Sequence, residues 1–297
     1  MSYKKAWVDP FIDHLLQEMK LYKETYGLIN VDTIFFGGGT PNVLSKRAFD
    51  QILVGIYENF KVRSNIEFTM EMNPGLHSKS KLKFFKSMGV NRVSVGIQSF
   101  HSNVLEDYGR NHTADESLLF LRDVSESGFR NVSIDIIFGH PKHTKDDLMV
   151  SLKKIDDLNI THLALYGLTI EKGTPFHHAQ IVINDDDQYE KYALIQDYMN
   201  KRGFIQYEVS NFCKAGFESL HNIKYWTLQP TIGLGAGAHS FFHGKRYQNE
   251  LTVMNYVSSV SKKLPSIHGE LNWNDYISVR FRYAKPVLIL IFQFLTY

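Results

Sequence analysis

Ile34-Phe35-Phe36-Gly37-Gly38-Gly39-Thr40-Pro41 is a short apolar strand that runs straight into three glycines, a threonine and a proline. Glycine has no Cβ, so consecutive glycines let backbone N–H and carbonyl groups approach a bound molecule closely. Pro41 cannot donate to a sheet ladder and stops the strand. Taken alone, a glycine triplet is most simply a turn. What gives this one weight is its setting, because along the chain one apolar segment after another also ends on a polar residue.

The hydrophobic periodicity supplies that setting. Residues 11–26 place Leu15, Leu16, Met19 and Tyr22 on one helical face, and a strand over 31–37 follows. Ser45 caps a helix to about residue 60, and a strand over 66–73 runs through Glu71 into Asn73-Pro74-Gly75. A helix over 78–88 leads to a strand over 92–98, two helices near 103–108 and 115–127, and a strand over 131–139 that carries Asp135. Thr144 caps the next helix, followed by a strand over 162–169, a helix over 187–202 and a short strand over 206–210. Strands alternating with helices imply right-handed βαβ units and a parallel sheet, here an open barrel. In such folds the site lies at the C-terminal ends of the strands. The residues at those ends are Gly38, Gly39, Glu71, Gln98, Asp135 and Thr169, with Arg110 in the loop beyond Gln98. Each has a dull explanation by itself, but together they form one polar rim over an apolar interior, which is the pattern of a binding site.

Composition narrows the function classes. The 297 residues are 43% hydrophobic, enough for one barrel-sized domain or two smaller ones. A net charge of +2, with acids and bases mixed along the chain, gives no electrostatic reason to expect nucleic acid or an anionic membrane as a partner. Cys213 is the single cysteine, so no internal disulfide can form and a reducing, cytoplasmic setting is expected. Residues 1–10 lack the apolar stretch of a signal peptide, and the apolar run 287–297 is too short to span a bilayer as a helix.

Six blocks now carry a resemblance. Phe36-Gly37-Gly38-Gly39-Thr40-Pro41, Glu71-Met72-Asn73-Pro74-Gly75, residues 94–100, Gly109-Arg110, residues 133–139 and residues 207–212 resemble, in this order, the radical S-adenosylmethionine (SAM) family. Within it they look like the oxygen-independent coproporphyrinogen III oxidases and their HemW-type haem-chaperone relatives. His221-Asn222-Ile223-Lys224-Tyr225-Trp226, an HNxxYW block, is similar to the chaperone branch. The fold that this implies is α/β: a partial (β/α)6 TIM-like radical SAM barrel over 1–210 with its first strand missing, and a small C-terminal α+β extension over 211–297 that diverges after about 272. The resemblance places SAM across the barrel mouth, with Gly38, Gly39 and Thr40 at its methionine end and Glu71, Gln98, Arg110, Asp135 and Thr169 along the rest. Those types suit a ligand bearing an ammonium, a carboxylate and ribose hydroxyls.

The departures from the family pattern concern its chemistry. The family's CxxxCxxC motif holds a four-iron, four-sulfur (4Fe-4S) cluster through three thiolates. Residues 1–10 align just after that motif, so the cluster loop is expected to be absent, and Cys213 cannot supply three ligands. His140 and Lys142 stand where the family has an apolar residue and a glycine, and His140 with His143 lacks a third ligand for a metal. Haem is the other expected ligand. His221 is the candidate axial ligand with Tyr225 and Trp226 flanking the porphyrin, against the plainer alternative of a histidine packed on Trp226; His239 is a second candidate. Three readings follow: a haem chaperone that passes haem to an acceptor protein, a coproporphyrinogen III oxidase, or an inactive fragment. No catalytic residue is assigned. An open edge at 31–37 predicts aggregation or pairing with a second copy.

Overall fold

A computed structural model describes residues 5–75, 78–259, 266–270 and 282. In chain order the elements are α1 (Val8–Tyr26), β1 (Ile29–Phe36), α2 (Lys46–Asn59), β2 (Phe60–Met72), α3 (Lys79–Ser87), β3 (Arg92–Gln98), α4 (Ser102–Asp107), α5 (Ala114–Glu126), β4 (Asn131–Phe138), α6 (Lys145–Asp156) and β5 (His162–Gly167). There follow α7 (Pro175–His178), α8 (Asp185–Asn200), β6 (Ile205–Gln206), β7 (Asn211–Cys213), α9 (Leu220–Trp226), β8 (His239–Phe242), β9 (Lys245–Gln248), α10 (Val253–Ser258) and β10 (Ser266–Glu270). The apolar tail at 287–297 and the divergence after 272 lie outside the described residues.

The chain clusters into two compact units, 1–68 with 219–297, and 69–218. In the first, α1 buries Ile12, Leu15, Met19 and Tyr22, and α2 buries Phe49, Ile52, Leu53 and Ile56. Ser45 caps α2 as its position before the apolar period predicts, accepting from Ala48 N. Buried Glu18 on α1 accepts three hydrogen bonds, from Tyr256 Oη at 2.6 Å, Asn249 Nδ2 at 2.8 Å and Gly235 N at 3.0 Å. This one carboxylate therefore ties the first helix to the Gly233–Ala238 loop and to α10, a link between residues more than two hundred positions apart. A small antiparallel sheet, β10-β9-β8, completes the unit.

The second unit is the βα-repeat. The C-terminal end of β2 pairs in parallel with β3, β3 with β4, and β4 with β5; β7 and β6 then add antiparallel. Every residue of β3 is buried, as a central parallel strand covered on two faces requires. Thr113 and Thr144 open α5 and α6 with capping boxes, in which the threonine hydroxyl takes a backbone N–H while Glu116 or Asp147 returns to the cap.

The strands stand in the order β1-β2-β3-β4-β5-β7-β6, a mixed and mostly parallel sheet without closure, which is the α/β, partial-barrel class that the pattern predicts. At the end of that order, β1 has β2 as its sheet neighbour among the described residues. Two expectations are corrected. The strand expected over 66–73 begins at Phe60; residues 61–65 are polar and exposed apart from half-buried Val62, and a single apolar residue makes no alternation to betray a strand. The strand expected over 206–210 is instead the hairpin of β6 and β7: Glu208 turns its carboxylate inward, where Oε1 accepts from Ser210 N at 2.9 Å and from Asn211 Nδ2, and these bonds shape the turn.

Candidate functional site

In the first unit, β1 delivers the glycine loop. Gly38 has φ +78°, the left-handed region that glycine enters at little cost, and no atom lies within 4 Å of where a Cβ at Gly38 or Gly39 would stand. Thr40 then leads into a short 3-10 turn, Pro41–Val43.

The HNxxYW block forms α9. Ser219 caps it, and the buried carboxylate of Glu67 on β2 accepts from the backbone N–H groups of Leu220 and His221, each at 2.9 Å. That arrangement neutralises two of the donors that a helix start leaves unmatched. Lys224 reaches back to Asp32 on β1 at 2.9 Å. Between these anchors sits His221. Its Nδ1 is 2.9 Å from Thr33 Oγ1, its ring stacks on Phe35 at 4.9 Å and 20°, and its Nε2 is 3.1 Å from the hydroxyl of Tyr225 one turn on. Tyr225 is 45% exposed, whereas Trp226 is buried. The His221 ring meets Phe35 in a stacked geometry and Tyr225 edge-on. Thr33, Phe35 and Glu67 escape a reading of the sequence because each lies more than 150 residues from its partner on α9. His239 is exposed, with Nε2 3.2 Å from Gln248 Nε2.

In the second unit, register gathers the polar strand ends. Glu71 lies opposite Ser94, and Gly96 opposite Asp135. Asp135 accepts from Ser94 Oγ at 3.2 Å. Burial drives its carboxyl up to about 6, helped by the charge of Glu71 and opposed by Arg92 and Arg110. Arg110 is itself shifted down by burial. Gln98 sits where the β3–β4 register slips, with φ +66°, a backbone conformation that costs a non-glycine residue about 1–3 kcal/mol and tends to mark ligand sites. Gly96 makes room for it: a Cβ there would stand 2.8 Å from Asn73 Oδ1 and 3.1 Å from Gln98 Nε2. Thr169 is exposed, two residues beyond β5. Glu71 and Gln98 thus stand at the C-terminal ends of β2 and β3, Asp135 three residues before the end of β4, and Arg110 in the loop beyond α4. Arg92 escapes notice in the sequence, since nothing in an apolar-flanked strand start signals that this arginine is fully buried.

The loop after β4 has closer company than its spacing suggests. His101 at the start of α4 packs edge-on against His143 at 4.7 Å, and Asp107 Oδ2 lies 3.2 Å from His140 Nε2 and 2.8 Å from Lys142 Nζ. A third histidine and a carboxylate thus adjoin the loop. Among the described residues no three such side chains are placed to hold a metal ion. A four-iron cluster does not fit these residues either: Cys213, the one cysteine, is wholly buried in the β7 ladder. Among the described residues no helix is long and apolar enough to cross a membrane.

The radical SAM superfamily profile matches residues 6–155. The chain is 36% identical over 262 residues to the haem chaperone HemW of Bacillus subtilis, covering 86% of this chain and 69% of that protein. It is 35% identical over 257 residues to HemW of Lactococcus lactis, covering 85% and 67%. It thus spans about two thirds of the length of these relatives. Among solved structures, coproporphyrinogen III oxidase (HemN) of Escherichia coli superposes with a TM-score of 0.79 at 20% identity, covering 94% of this chain and 68% of that one, a likeness of fold. With the superfamily profile across half its length and two HemW proteins above one-third identity, the chain belongs to the radical SAM superfamily and, within it, to the HemW family.

Proposed function

We propose that this chain binds haem as cargo through His221 and passes it to an acceptor protein, a reading supported by its similarity to proteins named haem chaperone. The observation that carries the reading is the setting of His221. A neutral imidazole is a common ligand for haem iron, and here it is braced by Thr33 and Phe35 while its Nε2 lies on the side of an exposed tyrosine. Tyr225 offers an aromatic edge beside it, and Trp226 anchors the helix from its buried side.

The polar set of the second unit supports a further part of the reading. Glu71, Gln98, Arg110, Asp135 and Thr169 offer acids, an amide, a guanidinium and a hydroxyl, the chemistry that the ammonium, carboxylate and ribose of SAM call for. In the first unit, Gly38 and Gly39 leave the space of a side chain empty, which with Thr40 beside them suits a methionine group. SAM, when bound, supplies a sulfonium for adenosyl chemistry. The residues present give no thiolate set for the cluster, so radical chemistry is not part of the activity proposed. A cytoplasmic setting accords with the single cysteine.

Hemin titration tests the proposal. The wild-type chain is expected to give a shifted Soret band with saturable binding, His221→Ala to weaken it at least tenfold, and Gln98→Ala to leave it unchanged. Equal binding by wild type and His221→Ala would refute it.

A further inference from the structure

We infer that Tyr225 is a displaceable cap on His221, so that haem iron enters by taking the place of the tyrosine hydroxyl at Nε2. This rests on the haem reading above and adds to it a direction of approach, a tautomer and a step that limits loading.

The two nitrogens of His221 have different surroundings. On the inner side, Nδ1 is 2.9 Å from Thr33 Oγ1 on β1, and Phe35 two residues on lies nearly parallel to the ring at 4.9 Å. These contacts fix the ring's position and plane from the sheet side. On the outer side Nε2 lies 3.1 Å from the hydroxyl of Tyr225, carried on the same helix one turn away and 45% exposed. An imidazole ligates iron through an unprotonated nitrogen, and the nitrogen not bound to the metal keeps its proton and donates it to a fixed acceptor. Thr33 Oγ1 is such an acceptor for Nδ1–H. With the proton on Nδ1, Nε2 presents a lone pair, and the Tyr225 hydroxyl donates to it in the haem-free chain. The tautomer that this pair of contacts favours is therefore the one that binds iron, and the outer partner is the one that can leave. Rotation of an exposed tyrosine side chain suffices, whereas releasing Thr33 would disturb the strand.

The cap has an energetic consequence. Iron binding at Nε2 must break the Tyr225 hydrogen bond, so removing the hydroxyl should tighten hemin binding by roughly two- to tenfold, the range for one ordinary hydrogen bond. Removing the inner brace should act oppositely.

Two measurements test this. In the haem-free protein, nitrogen chemical shifts of 15N-labelled His221 are expected to report the Nδ1–H tautomer; an Nε2–H tautomer would overturn the proposal without reference to haem. In hemin titrations followed by absorption and electron paramagnetic resonance, Tyr225→Phe is expected to bind more tightly with the spectrum of an imidazole-ligated haem retained, and Thr33→Val to bind more weakly with an altered spectrum. Weaker binding by Tyr225→Phe together with loss of the wild-type spectrum would make Tyr225 itself the ligand and overturn the cap. Unchanged affinity in Tyr225→Phe, with His221→Ala still impaired, would also overturn the cap while leaving the haem reading intact. Insensitivity to His221→Ala would instead remove the haem reading, whatever Tyr225→Phe shows. Tyr225 is exposed and the change to Phe keeps its ring, so a matching thermal melt is expected to show that each difference arises at the site.

Discussion

Replacing Asp135 with Asn should make the ligand-free protein more stable at neutral pH, although it removes a residue proposed to bind ligand. The carboxyl group is raised from its ordinary 3.8 to about 6, first because it is buried and secondarily because Glu71 is near, with Arg92, Ser94 and Arg110 offsetting part of the rise. A folded-state pKa above the unfolded one means that the folded chain holds the proton between those values, so stability is lost as pH rises from 3.8 through about 6 and the penalty is complete above it. At about 1.4 kcal/mol per unit the shift corresponds to at most about 3 kcal/mol, and partial solvent access at Asp135 screens the charge to leave about 2 kcal/mol. Asn removes the charge and keeps an oxygen for the Ser94 hydroxyl, which sits 3.2 Å away. Urea unfolding of wild type and Asp135→Asn at pH 8 should show the variant more stable by about 2 kcal/mol, and the gain should shrink steadily below pH 6. A variant less stable at pH 8 would mean that attraction to Arg92 and Arg110 outweighs the cost of burial, and the reasoning would fail.

Three further outcomes follow from the packing. Glu18→Ala should cost about 3–5 kcal/mol, because it leaves the Tyr256 hydroxyl, the Asn249 amide and Gly235 N–H without their buried acceptor; the urea midpoint reads it, and a loss under 1 kcal/mol would deny the carboxylate that role. Gly233→Ala should destabilise by about 3 kcal/mol or more, since its Cβ would stand 2.2 Å from the backbone oxygen of His239, which cannot swing aside as a side-chain end can; a near-neutral melting temperature would show that the loop is free to shift. Burial, with His101 beside it, lowers His143 to about 4, so the unfolded chain takes up this proton first and stability should fall between pH 6.5 and 4; in His143→Leu that part of the slope, worth up to about 3 kcal/mol, should flatten, and an unchanged pH profile would exclude the histidine as its source.

Much of the architecture is legible without coordinates because its signals are local. Helix faces repeat every three or four residues, Ser45 and Thr144 stand at their caps, and β3 spans the 92–98 that its apolar core predicts. The glycine triplet, the HNxxYW block and the polar strand ends are likewise local patterns, which is why the family and its candidate residues can be read directly from the chain. Cysteine count is the most local of all: one thiol excludes a three-thiolate cluster on these residues whatever the fold. Register and long-range pairing are different in kind, since each depends on which distant segments share a face. Nothing near His221 in sequence discloses Thr33, Phe35 or Glu67, and nothing near His143 discloses His101, because only the sheet brings β1 and β2 beneath α9 and only the parallel order sets the loop after β3 beside the loop after β4. The same holds for protonation: Asp135 and His143 are ordinary residues by type, and their shifts come from burial and neighbouring charges that exist once the chain has folded. Residue types and short spacings thus determine which groups are available, while tertiary structure decides which hydroxyl, carboxylate or ring each of them meets, because hydrogen bonding and desolvation act over a few ångströms of space rather than along the chain.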